Sequence, residues 1–129
     1  MTNDYRESRA EVERLTDQID ELRHALYEKK HGLAAIEEEL QNINDDFMLA
    51  DPSPIDGKNA ETRAAQMRRL MLDDEGARNL RRARREMEDD AERNQRLLER
   101  AETMQRLYIR DLDHATLTLH EARANGVTG

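Results

Sequence analysis

The stretch YRESRAEVERLTDQIDELRHALYEKKHGLAAIEEELQNINDDF, residues Tyr5 to Phe47, decides the fold. Stepping alternately by three and four residues from Tyr5 gives Ser8, Val12, Leu15, Ile19, Leu22, Leu26, Lys29, Leu33, Ile36, Leu40, Ile43 and Phe47. Only Ser8 and Lys29 break the apolar series. This is a heptad seam, with Tyr5, Val12, Ile19, Leu26, Leu33, Leu40 and Phe47 at a and the others at d. A single helix over this stretch would be about 65 Å long at 1.5 Å per residue. Such a helix cannot bury its own stripe, so the fold follows from which helix covers it.

Composition agrees with long helices. Charged residues make up 39% of the 129 and aromatic residues 3%, with no Trp and one Phe, so too few large side chains exist to fill a globular core. Sustained apolar periodicity also argues against disorder. The absence of cysteine excludes disulfides, Cys-ligated zinc and a thiol nucleophile. No apolar run approaches a membrane span, and MTNDYRESRA contains no signal-peptide core. A cytoplasmic protein without membrane contact is therefore expected.

The net charge of −8 is unevenly spread. Residues 1–57 carry 6 basic and 15 acidic side chains, residues 58–85 carry 9 and 4, and residues 86–129 carry 6 and 10. The middle block is the one basic segment of an acidic chain.

Read in order, the chain predicts a single elongated helical domain over 1–129. A first helix covers about 4–48, opened by a capping box of Asp4 and Glu7. Gly32 is a soft point where a slight bend is allowed. Pro52, Pro54 and Asp56-Gly57 mark a linker over 49–58. Asn59 caps a short helix over about 59–72, with Ala64, Met67, Leu70 and Met71 as its apolar face. Asp73-Asp74-Glu75-Gly76 interrupts it, with Asp73 or Asp74 capping a third helix over about 75–124 that closes at Asn125-Gly126; a helix running continuously through this point is the alternative. In the third helix the apolar series drifts between Met87 and Ala91, and Asn94 falls in the stripe.

The first and third helices have nearly equal lengths. Folded back on one another, residue i of the first would lie near residue 123 − i of the third, setting Glu37, Glu38 and Glu39 against Arg81 to Arg85. The expected fold is thus all-α: a long antiparallel helical hairpin, a coiled coil, with a short connecting helix that caps its closed end or lies along its side. The third helix is apolar over a wide arc, comprising Leu97, Leu98, Ala101, Met104, Leu107, Tyr108, Ile109 and Leu112. A two-helix contact covers a narrower stripe. The excess predicts an oligomer interface at Leu97, Ala101, Met104, Leu107, Tyr108, Ile109 and Leu112, with a homodimer forming a four-helix bundle as the favoured state.

Three sets of residues suggest chemistry. Glu21 with His24, Glu28 with His31, and Asp111 with His114, followed by His120, have the Glu-x-x-His spacing of di-metal bundles. In the heptad of the first helix, however, Glu21 and Glu28 fall at c and His24 and His31 at f, away from the seam, so no metal or other cofactor is expected. The consecutive acids Glu37 to Glu39 and Glu88 to Asp90 fan around their helices instead of converging on a Mg²⁺ ion. Lys58, Arg63, Arg68, Arg69, Arg78, Arg81, Arg82, Arg84 and Arg85 are candidate phosphate contacts for nucleic acid. The acidic net charge, the shortage of aromatics for base stacking and the facing acids of the first helix weigh against that use. Gly57-Lys58 lacks the upstream glycine of a P-loop, and no Ser-His-Asp arrangement can be drawn.

The segment Gly57-Lys58-Asn59-Ala60-Glu61-Thr62-Arg63-Ala64-Ala65-Gln66 resembles a box in small helical proteins of bacterial phages and prophages. There it lies between two long charged helices and precedes an acidic break, as at Asp73-Asp74-Glu75. The resemblance implies a phage accessory protein, of the kind encoded among early or recombination genes. It places Asn59 as a helix cap and Arg63 with Gln66 on the helix surface, and it implies no catalytic residue. The leading functional expectation is a non-enzymatic interaction or assembly protein with an unidentified protein partner. A DNA-associated accessory using the basic block is the alternative, and a metal-dependent helical-bundle enzyme comes third.

Overall fold

The computed structural model describes residues 5–124, and over them the chain is all-α, with no strands. Helix α1 spans Tyr5–Leu49, α2 spans Ala60–Asp73 and α3 spans Glu75–Ala124. The expected Asp4 cap and the Asn125-Gly126 ending lie outside the described residues. Helices α1 and α3 pack against each other as an antiparallel helical hairpin. Their contacts gather into two compact units. One takes α1 as far as Leu26 and α3 from Arg93 onward; the other runs from Tyr27 to Glu92 and contains all of α2.

In the first unit, α1 buries Leu15, Ile19 and Leu26, and α3 buries Leu98 and Ala101. Gln105 Nε2 of α3 donates to Thr16 Oγ1 of α1 at 2.7 Å, and Arg23 lies 3.8 Å from Glu102. In the second unit, Ile36, Leu40 and Ala77 form the core, with Ile43, Met71, Leu80, Ala83 and Met87 packed against it. Arg84 pairs with Glu37 at 2.9 Å and Lys29 with Asp90 at 3.5 Å. All four cross-helix pairs fall within four residues of the expected 123 − i register. The charge match between Glu37 and the arginines of α3 is therefore a real contact, made by Arg84.

Every seam position of α1 from Ser8 to Phe47 is buried or half-buried. The two polar ones are accommodated differently. Lys29 carries its ammonium out to Asp90. Ser8 is 1% exposed, and its hydroxyl has no hydrogen-bond partner among the described residues. Gly32 does not interrupt α1. A Cβ there would come within 2.6 Å of Met87 Sδ, so the glycine is a notch that lets the methionine lie against the α1 backbone.

The seam of α3 is more regular than its apolar residues suggest. Burial follows an unbroken three-four series through Ala77, Leu80, Arg84, Met87, Ala91, Asn94, Leu98, Ala101, Gln105, Tyr108, Leu112 and Ala115. The drift expected between Met87 and Ala91 is absent because Arg84, an arginine, holds a seam position. Its stem packs inward while its guanidinium reaches Glu37 and Glu88.

Two local devices set the connections. Asp74 ends one helix and begins the next: its N–H donates to Leu70 O at 2.9 Å, and its Oδ2 accepts from Ala77 N at 2.8 Å. Arg81 Nη1 adds a bond to Met71 O at 2.7 Å, placing a cation at the C-terminal end of α2. The second device explains the Gly57–Gln66 box. Asn59 Oδ1 accepts from Thr62 N, Gln66 Oε1 accepts from Gly57 N, and Gln66 Nε2 donates to Asp56 Oδ1. Arg63 Nη1 donates to Gly57 O. A Cβ on Gly57 would meet Thr62 Cγ2 at 2.7 Å, so only glycine allows this approach. Gln66 is half-buried in this clamp and not simply on the helix surface. The box therefore fastens the linker onto α2, while Ile55 of the linker is itself buried.

An unpartnered buried hydroxyl costs about 1–3 kcal/mol. Ser8→Ala is expected to stabilise the chain by about 1 kcal/mol in urea denaturation, whereas Ile36→Ala, which empties part of the second unit's core, lowers stability by about 3 kcal/mol. A loss of stability in Ser8→Ala would mean that the hydroxyl has a role in the fold.

Candidate interaction surface

The wide apolar arc expected on α3 divides into buried and exposed parts. Ala101 is 3% exposed and belongs to the hairpin seam with Leu98. Tyr108 and Leu112 are half-buried seam residues. Leu97, Met104, Leu107 and Ile109 stay 38–47% exposed. These four do not share a face. Met104 and Ile109 are five residues apart, which turns them roughly 140° from one another around a helix. Ile109 thus lies on one flank of the first unit, and Leu97, Met104 and Leu107 line the other.

On that second flank α1 contributes its own wall. Leu15, Leu97, Ala101 and Met104 floor a groove of about 250 Å³, with Gln18, Arg14 and Arg100 as its polar rim. Arg14 is held in place by Glu11, with bonds of 2.7 and 3.1 Å to one carboxylate oxygen. These bonds hold the Glu11 carboxyl below its ordinary pKa and raise that of Arg14. The contribution of α1 was hidden in the sequence because Arg14 and Gln18 are ordinary solvent-face residues of the heptad. In the structure Glu11, Gln18 and Ala25, one residue before successive a positions, are half-covered.

The basic block also divides. Arg63, Arg81 and Arg84 are engaged by Gly57 O, Met71 O and the Glu37 and Glu88 carboxylates. Lys58, Arg68, Arg69, Arg78, Arg82 and Arg85 are exposed, and their side chains have no ionic or hydrogen-bond partner among the described residues. Arg78, Arg82 and Arg85 recur at i, i+4 and i+7, which makes them one outward stripe of α3.

The Glu-x-x-His pairs do not assemble. Glu21, His24, Glu28 and His31 are all exposed, and His31 packs on the Tyr27 ring with centroids 4.3 Å apart. Asp111 is half-buried, while His114 and His120 are exposed. Among the described residues no group of three or more His, Asp or Glu side chains could hold a metal ion. Of the consecutive acids, Glu37 and Glu88 bind Arg84 and Asp90 binds Lys29. A second hollow, of about 260 Å³, lies between Pro54 and the Thr62, Ala65, Gln66, Arg69 and Leu70 side chains of α2. Its polar lining includes Gln66, already committed to the linker clamp. No described helix is long and apolar enough to cross a membrane.

No family model matches the chain, and no curated protein or solved structure matches it either.

Proposed function

We propose that the protein is a non-enzymatic assembly factor that acts through a helix face and associates with itself. The observation that carries this reading is the exposed row of Leu97, Met104 and Leu107, the first two of which also line the α1–α3 groove in the first unit. Seam residues of the hairpin are already covered, so this row is surplus to folding. Scattered surface apolar residues need no explanation, but three at helical spacing along a groove form a contiguous patch. The layout of two long charged helices around the Gly57–Gln66 box supports an accessory role in a phage or other mobile element. The box itself is absorbed by the linker clamp and contributes no chemistry to that role.

A second reading rests on the six exposed cations of residues 58–85, which fit an anionic polymer such as DNA. With 3% aromatic residues, binding would run through phosphates and not through stacked bases. In a fluorescence titration, an affinity for DNA that falls steeply between low and moderate salt, and is lost in the triple variant Arg78→Glu, Arg82→Glu, Arg85→Glu, would establish it. No binding at low salt removes it.

For self-association, light scattering at micromolar concentration is expected to give a mass above the 15.1 kDa of one chain. Met104→Glu, which buries a charge in any contact on this row, should return the mass to that of one chain with helicity unchanged. A wild-type protein that stays at the mass of one chain contradicts the proposal.

A further inference from the structure

The exposed row of α3 is self-complementary when reversed. Read along the helix, the flank carries the exposed Arg93, Leu97, Arg100, Met104 and Leu107 and the half-buried Asp111, a three-four series with a cation at one end and an anion at the other. Turned end for end against a copy of itself about a point between Arg100 and Met104, each position meets a suitable partner. Arg93 meets Asp111, Leu97 meets Leu107, and the aliphatic stem of Arg100 lies over Met104. The parallel alternative would set Arg93 against Arg93 and Asp111 against Asp111, with like charges opposed at both ends. We infer that the occupant of this flank is a second copy of the chain, docked antiparallel through α3 about a two-fold axis near residue 102.

The inference rests on the self-association reading and adds orientation and register to it. A two-fold contact uses the same patch twice, so residue i touches j and j touches i. The six residues satisfy that condition on both charge and apolarity. The Arg100–Met104 pairs flank the axis with the arginine stems inward, the Leu97–Leu107 pairs lie outside them, and the ion pairs close the rim. All six belong to the first unit, so the contact requires nothing of the second.

The chain has no cysteine, so each reporter thiol can be placed singly. Leu97→Cys and Leu107→Cys proteins, mixed in equal amounts and oxidised, are expected to give the 97-to-107 disulfide about tenfold over either self-disulfide. A contact without fixed register gives about twofold by statistics alone, because only neighbouring Cβ atoms can be bridged. Independently, Arg93→Glu and Asp111→Arg should each weaken the dimer about tenfold, and the double exchange should recover it to within about threefold. A dimer that favours self-disulfides, or whose double exchange does not recover, overturns the antiparallel register and leaves self-association standing. A wild-type chain that remains at 15.1 kDa overturns both.

Discussion

The burial of the α1 heptad against α3 is the contact on which the other features depend. Neither helix contains enough large apolar residues to form a core alone. In each unit the core is a thin row: Leu15, Ile19 and Leu26 with Leu98 and Ala101 in one, Ile36 and Leu40 with Ala77 in the other. At about 25 cal/mol per Å² of apolar area buried, such rows stabilise through their length and not through any deep centre. Small residues make the close approach possible. Ala77 is fully buried, Ala101 nearly so, and Gly32 leaves room for Met87.

Charge fixes the register more than it strengthens the fold. The Arg84–Glu37, Lys29–Asp90 and Arg23–Glu102 pairs are partly exposed, and pairs of this kind contribute about 0–1 kcal/mol each. They nonetheless penalise sliding, because a displaced register would set the acids of α1 against the acids that follow Arg85. Arg84 serves both purposes by occupying a seam position with its stem and an ion-pair position with its guanidinium. The arginine-rich segment is thus partly structural, and the cations left over are those turned away from α1.

Much of this was legible in the sequence. The heptad gave α1, the prolines and Asp56-Gly57 gave the linker, and Asp73-Asp74-Glu75-Gly76 marked the break that Asp74 makes by closing α2 and capping α3. Matching helix lengths and the acid-to-arginine pattern gave the hairpin and its approximate register. What escaped is long-range or depends on side-chain length. An arginine at a seam position is read as a defect until its stem and head are seen to part company. Gly32 looked like a flexible point because Met87, which fills its notch, is distant in sequence. The apolar arc of α3 looked like one face because apolarity alone does not separate what the hairpin covers from what it leaves. Gln66 looked like a surface residue because its partners lie in the linker.

Pairing of α1 with α3 of the same chain decides which apolar residues of α3 form the exposed row and which cations are left over. Thr16 and Gln105 touch across the two helices at 2.7 Å, on the side-chain flank away from the Leu97 row. Cysteines placed together at these two positions in one chain and treated with a short, flexible bis-maleimide at nanomolar concentration test it most directly. The expected result is an intrachain cross-link that runs as a single chain on a denaturing gel and leaves helicity unchanged. Cross-links that form only between chains, or none while the helices remain folded, would contradict the pairing.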